Sequence, residues 1–303
     1  RSLFEAIETL SAGLPFQLDF ARTELIVVSS KLLSEDGPEN PLPELRVTRL
    51  KIRSNAFVFV SLCDAKDVLE GMKNELDPNL SRLQQNFVTY SEATGLIPVT
   101  NLMNLMEAEM TARYSALVPL CGSAGEGEPE MAASDSVGNQ PYPYLGGKLL
   151  IKSGMKTDMA GAALLEKGKI RGLLCGQNVQ LLLMATGEFR EGRIRFSNEG
   201  KEAVASFASN GRPEVRFTLA PTPRAVVTIP VSAAIEQRGG LPEDGTAEWM
   251  AASLAEDTEA VFRCCRELGV DAFGFGKEAA GRFVKAGEWE NSNWKNVYQT
   301  MEV

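Results

Sequence analysis

Histidine is absent from the 303 residues. Its absence excludes Ser-His-Asp and Cys-His nucleophile pairs and removes the commonest side-chain ligand of transition metals. Cysteine is scarce. Cys63, Cys121, Cys175, Cys264 and Cys265 make an odd set with no C-x-x-C, so neither a zinc site nor a complete disulfide framework is indicated. The pair Cys264-Cys265 admits a redox reading, although a small residue on an amphipathic helix more often fills a core. Long apolar runs are lacking too. The longest, Ala56–Cys63 and Leu181–Ala185, have core lengths, far from the roughly 20 residues that span a bilayer. Arg1 leads into an amphipathic helix with no secretory signal pattern. Basic charge is in deficit, 31 Lys and Arg against 40 Asp and Glu. A net charge of −9 argues against nucleic acid and against adhesion to an anionic membrane.

What is present describes an ordinary globular chain, 44% hydrophobic and 23% charged, long enough for two or three domains. Ser2-Leu3-Phe4-Glu5 fits a capping box, and Leu3, Ile7, Leu10 and Leu14 repeat at helical spacing. Glu24–Ser29 reads as a buried strand, Ser34–Pro43 as a polar loop and Glu44–Arg53 as helix. Asn55–Cys63 is the second strand, and Asp64 is placed to cap a helix over Ala65–Asn74. Leu83, Phe87 and Tyr90 stripe a helix that ends at Gly95. Leu102, Leu105 and Met106 stripe the next, and Ser115–Cys121 closes the region as a strand.

The stretch Gly122–Gly147, rich in Gly, Ser, Pro and acid, reads as a linker or long loop and marks the first domain boundary; Tyr142 and Tyr144 between prolines either form a peptide-like docking segment or, more ordinarily, tack the loop to a neighbouring domain. Order restarts at Lys148–Lys152. Asp158–Leu165 and Lys169–Arg171 bracket a tight turn at Glu166-Lys167-Gly168, and Leu173–Met184 reads as a helix interrupted by Gly176. Arg193–Phe196 and Glu202–Ala208 are strands, and Asn210–Pro213 breaks the pattern again. Glu214–Leu219 and Arg224–Glu236 follow as strands, with Pro230 suggesting an edge or a bulge. Beyond the turn at Gly239–Gly245, Thr246 can cap a long helix striped by Met250, Leu254, Val261, Cys265 and Leu268 and closed by Gly269. Lys277–Lys285 reads as a helix and Asn296–Val303 as a terminal strand. The fold class expected is α+β: three consecutive mixed α/β domains over 1–147, 148–210 and 211–303, with mostly antiparallel or mixed sheets and packed helices.

The last forty residues are the most distinctive. Gly274-Phe-Gly-Lys-Glu-Ala279 formally matches the dinucleotide pattern G-x-G-x-x-A, but Gly269 leaves four residues for the strand that the pattern needs before it. The alternative is a packing corner, in which Gly274 and Gly276 permit positive φ and close approach while Phe273 and Phe275 pack on opposite sides. Trp289 and Trp294 either line a pocket or anchor the chain end against the helix at Trp249. The acids Glu256, Asp257 and Glu259 could form an acid/base pair, but exposed helix carboxylates are ordinarily a solvated face, and no apolar burial or positive partner in the sequence would shift their carboxyls. No catalytic, cofactor-binding or metal-binding residue is nominated.

Three places together resemble the Ger(x)C family, the C subunits of bacterial spore germinant receptors. Ser2-Leu-Phe-Glu-Ala-Ile7 with Asp19-Phe-Ala and the strand Glu24–Ser29 is similar to the family's first helix and strand. Ala160-Gly-Ala-Ala-Leu-Leu-Glu-Lys-Gly-Lys-Ile-Arg-Gly-Leu173 is similar to its central hairpin. Leu268-Gly-Val-Asp-Ala-Phe-Gly-Phe-Gly276 and Trp294-Lys-Asn-Val-Tyr298 are similar to its closing G-x-D-I-F-G-F-G and N-W-D-E-V-F-P signatures, the most specific of the three. The resemblance implies a non-enzymatic, palmitate-bearing lipoprotein on the outer face of the inner spore membrane. It implies partnership with germinant receptor A and B subunits, and a lipid anchor on a cysteine upstream of Arg1. It supplies no catalytic residues, and it leaves direct binding of a small-molecule germinant open. Two rivals are an extracytoplasmic small-molecule-binding protein and a hydrolase working through Ser, Lys or carboxylates.

Overall fold

The structure, a computed structural model, describes residues 3–34, 42–45, 50–75, 80–111, 113–123, 145–147, 156–198, 201–218, 222–240, 244–281, 289 and 293–303. Expectations at Ser2, at the tyrosines Tyr142 and Tyr144, at Lys148–Lys152 and over much of Ser34–Pro43 lie outside the described residues.

A five-stranded mixed sheet organises the first half. Leu25–Ser29 (β1), Phe57–Ser61 (β2) and Ala116–Ser123 (β3) run parallel, and Thr157–Glu166 (β4) and Lys169–Leu174 (β5) are added antiparallel, in the order β1-β2-β3-β4-β5. Every β2 side chain is buried, as befits a strand covered on both faces. Three short helices, Leu3–Ala12 (α1), Ser30–Leu33 (α2) and Leu42–Leu45 (α3), precede β2. Ala65–Glu75 (α4) and Leu80–Thr94 (α5) cover one face, where Phe87 lies 4.8 Å from Phe59 between ring centroids. Leu102–Thr111 (α6) covers the other with Leu102 and Leu105, joined there by Leu33 and Leu42. The Asn101 side chain caps α6 through the Asn104 amide at 2.9 Å. Of the helix expected over Glu44–Arg53, Glu44 and Leu45 lie in α3 and Lys51 is left-handed at φ 53°, outside any helix, while 46–49 lie outside the described residues.

The boundary expected at 147 falls inside this sheet, because β3 precedes it, β4 follows it, and the two pair from Ala116 opposite Leu165 to Ser123 opposite Thr157. Gly146 donates its amide to the Ala160 carbonyl at 2.8 Å, so the far end of the Gly-rich stretch is itself tied to β4. The β4–β5 turn forms as expected. Lys167 and Gly168 take φ of 53° and 68°, the left-handed pair that a two-residue hairpin turn requires.

Gly176–Thr186 (α7) is buried from Gly176 to Ala185. Gly176 opens this helix instead of interrupting it, because Leu173 and Leu174 are taken by β5 and the extended Cys175 is the N-cap. Polar side chains on a buried helix need partners. Gln180 donates to the Thr94 carbonyl at 2.6 Å and to the Arg193 carbonyl at 3.1 Å, and Gln177 donates to the Arg195 carbonyl at 2.7 Å.

Glu191–Asn198 (β6), Lys201–Ser209 (β7), Glu214–Thr218 (β8), Arg224–Thr228 (β9) and Val231–Gln237 (β10) complete the strands. They fall into a β10-β7-β6 sheet and a β8-β9 pair. The registers reveal a single long antiparallel hairpin, since Arg224 faces Thr218, Thr228 faces Glu214, Val231 faces Ser209 and Gln237 faces Val204. Thus the expected boundary at 210 also lies within paired structure. Pro230 marks the break in the returning strand, its carbonyl accepting from the Asn210 amide at 2.9 Å, and this strand is the edge of its sheet.

Thr246–Glu267 (α8) packs Met250, Leu254, Val261, Phe262 and Cys265 into the same core as α7 and the hairpin. Its N-cap is the left-handed Gly245, and Thr246 is a buried first helical residue. Phe275–Ala280 (α9) and Trp294–Gln299 (α10) end the chain. The terminal strand expected over Asn296–Val303 is therefore corrected to a helix plus one parallel bridge from Glu302 to Arg224. The part of the Lys277–Lys285 helix beyond Ala280 lies outside the described helix, and 282–288 lie outside the described residues.

Candidate functional site

The corner between α8 and α9 is built around one carboxylate. α8 ends with Gly269 at φ 68°, and the Val270 amide donates back to the Cys265 carbonyl at 2.8 Å. The next residue, Asp271, is only 6% exposed. Its backbone is zipped to the start of β3. The Ser115 amide donates to the Asp271 carbonyl at 2.9 Å, and the Asp271 amide donates to the Ser115 hydroxyl at 3.1 Å. Its carboxylate turns onto the first turn of α9, accepting from the Phe275 amide at 3.0 Å and the Gly276 amide at 2.7 Å. It also accepts from the Trp294 indole N–H at 3.0 Å. Burial pushes this carboxyl up to about 6, and the amide and indole bonds hold it from rising further.

Two glycines permit this geometry. Gly274 is left-handed at φ 70°, and a Cβ on Gly276 would strike the Arg113 carbonyl oxygen and meet the Trp294 indole nitrogen at 2.7 Å. Phe262 is the hub of the surrounding rings, with centroids 5.6 Å from Phe273, 5.8 Å from Phe275 and 5.6 Å from Tyr298. Phe273 and Phe275 were expected on opposite sides; their rings are 5.5 Å apart and tilted by 35°, on the same side. Cys265 lies in this core, its thiol pushed well up by burial, and Cys264 is half-buried. The amides that a nucleotide phosphate would need are thus already bonded to the chain's own carboxylate, which answers the G-x-G-x-x-A resemblance.

The tryptophans divide their roles. Trp294 holds Asp271 and packs 5.5 Å from Trp289, whereas Trp249 meets Phe196 at 5.9 Å and takes no part in the corner. A cavity of about 660 Å³ opens beside Trp289 and Trp294, between α6 and the β4–β5 turn, and Glu109, Arg113, Glu166 and Lys295 reach it. There Lys295 bonds Glu166 at 2.9 Å, and burial raises the Glu109 carboxyl. A second cavity of about 570 Å³, walled by apolar side chains, lies between α8 and the long hairpin. The acidic face of α8 departs from expectation at one position: burial, and then Glu256, push the Asp257 carboxyl up to about 6. Among the described residues no group of three or more Cys, Asp or Glu could hold a metal ion. Among them also, no helix is long and apolar enough to cross a membrane. The role of Asp271 was not read from the sequence, although its place in the signature before Gly274 was the available signal.

Comparison with known proteins agrees with this arrangement. The chain matches a family model described as "Spore germination protein N-terminal domain" over residues 1–122 and one described as "Spore germination B3/ GerAC like, C-terminal" over residues 160–303. No curated protein matches it in sequence. The solved "Crystal Structure of the GerBC protein" is similar in fold, with a TM-score of 0.64 at 12% identity, covering 97% of this chain and 79% of that one. The same α+β architecture of mixed sheets is shared with that structure. With both family models in place on either side of the Gly-rich stretch, and the signature residues Asp271, Gly274, Gly276 and Trp294 joined in one corner, the chain belongs to the Ger(x)C family of spore germination proteins.

Proposed function

We propose that the protein serves as the non-enzymatic C subunit of a nutrient germinant receptor, contributing to spore germination by contacts with the A and B subunits. On this reading a lipid attached upstream of Arg1 holds it on the outer face of the inner spore membrane. The observation that carries the proposal is the use made of Asp271. The most deeply buried carboxylate among the described residues accepts two backbone amides and an indole of its own chain, the work of a structural clamp. Membership in the family supports the germination role. The test is co-expression of the three subunits with an affinity tag on the A subunit, in the membrane fraction. Recovery of this chain with the tagged subunit is expected, and its loss from an otherwise intact A–B complex would overturn the assignment.

The cavity beside Trp289 and Trp294 supports a second reading, direct binding of a small nutrient. A thermal-shift screen of amino acids, sugars and nucleosides separates the two. A saturable rise in Tm that a Trp289→Ala variant loses would favour it.

A further inference from the structure

A third cavity, of about 360 Å³, lies between the first sheet and the C-terminal core. One wall is formed by 98–100 and by 114–117 leading into β3. The other is the end of α7, the hairpin at Pro213 and Val215, and the corner over 272–278. Leu117, Leu182, Val215 and Phe273 give it an apolar lining. Two opposite charges face it from different elements. Lys277 of α9 reaches the Tyr114 ring, its ammonium 3.4 Å from the ring centroid. Glu188, just past α7, is exposed to solvent, yet the surrounding protein desolvates its carboxyl enough to raise it, while the field of Lys277 pulls it back. A group that water reaches and protein still desolvates sits in a cleft. Among the described residues neither side chain has an ion-pair or hydrogen-bond partner, so the two charges meet across the cavity without pairing. The other charged residue at the cavity, Glu278, is exposed.

We propose that this cavity binds a small zwitterion, one molecule bearing a carboxylate for Lys277, a primary ammonium for Glu188 and an apolar body against Leu117, Leu182 and Val215. The charges select against simpler ligands. A lone anion would meet Glu188 and Glu278, and a lone cation would meet Lys277, which its stack on Tyr114 keeps in place. A molecule with both charges satisfies both side chains at once. The partial enclosure felt by Glu188 makes each of those charge-assisted hydrogen bonds stronger than at an open surface. The apolar lining suits a hydrocarbon body, as in small-molecule sites generally. This cavity meets the one beside Trp289 and Trp294 at Tyr114 and Ser115 alone. The inference stands apart from the assignment of the receptor subunits.

The probes are L-leucine, with both charges on one carbon, and 6-aminohexanoate, with the charges at the ends of an apolar chain. Hexanoate and hexylamine are controls that keep an apolar body and one charge each. Calorimetric titration of the full chain is expected to show saturable one-site binding of at least one zwitterion, with both controls weaker by about tenfold or more. Lys277→Met and Glu188→Gln remove the two charges from different elements. Each is expected to weaken binding about tenfold or more and to leave the Tm of the free protein unchanged. If Lys277→Met lowers that Tm through loss of the Tyr114 contact, Glu188→Gln alone decides. No binding of either zwitterion at about 10 mM, or equal binding of hexanoate or hexylamine, overturns the proposal. Binding that survives Glu188→Gln overturns it as well, and its loss in Trp289→Ala would then place the ligand beside the tryptophans.

Discussion

At the scale of single residues, Asp271 has the clearest energetic consequence. Its carboxyl stands at about 6 in the folded protein and near its ordinary value of 3.8 when unfolded. The folded state therefore binds the proton more tightly, so this group's contribution is full below about pH 4 and is lost as pH rises through about 6. Asp271→Asn removes that dependence. Denaturant unfolding of both proteins should show the wild type losing about 2–3 kcal/mol relative to Asp271→Asn between pH 4 and pH 7; parallel pH profiles would refute the argument. Tyr298 offers the opposite case. It is buried, burial raises its phenol well above the ordinary range, and its hydroxyl has no hydrogen-bond partner among the described residues. Removing a buried polar atom that bonds nothing should be neutral or stabilising by up to about 1 kcal/mol, so Tyr298→Phe should leave the Tm equal or raised.

At the scale of elements, the two glycines of the corner separate two physical effects. Gly274 is left-handed with open space where a Cβ would go, whereas Gly276 has no room. Gly274→Ala should cost about 1–2 kcal/mol, the strain of a left-handed alanine. Gly276→Ala must displace the Arg113 backbone or the Trp294 indole and should cost more, about 3 kcal/mol or above. Equal losses for the two variants in chemical denaturation would show that the close approach is not what Gly276 provides. The helix Trp294–Gln299 owes its place to the same corner, because its first residue reaches Asp271 and its Tyr298 packs on Phe262. Asn296–Val303 was expected as a strand because local sequence carries no record of that tertiary anchor.

At the scale of the whole molecule, the five-stranded sheet crosses the sequence gap between the two family models, because β4 and β5 complete a sheet begun by β1 to β3. α7 and the corner then share a core with α8 and the hairpin. Residues 1–147 alone would leave the β3 edge unpaired and lose the Ser115–Asp271 backbone bonds. That fragment should aggregate or lack a cooperative thermal transition, while the full chain melts as one unit. Two separated transitions in calorimetry of the full chain, one reproduced by the fragment, would contradict this.

Composition and spacing were enough to exclude His-dependent catalysis and to place β1, β2, α4 to α6, the Lys167-Gly168 turn and α8, because each carries its own periodicity, cap or breaker. They also picked out the glycine–phenylalanine corner. The tertiary structure alone decided that Gly176 begins a helix, that the hairpin runs continuously past Pro213 and Pro230, and that Asp271 closes the corner it precedes. These depend on partners distant in the chain, and hydrogen bonds formed across 23 or 156 residues leave no trace in local sequence spacing.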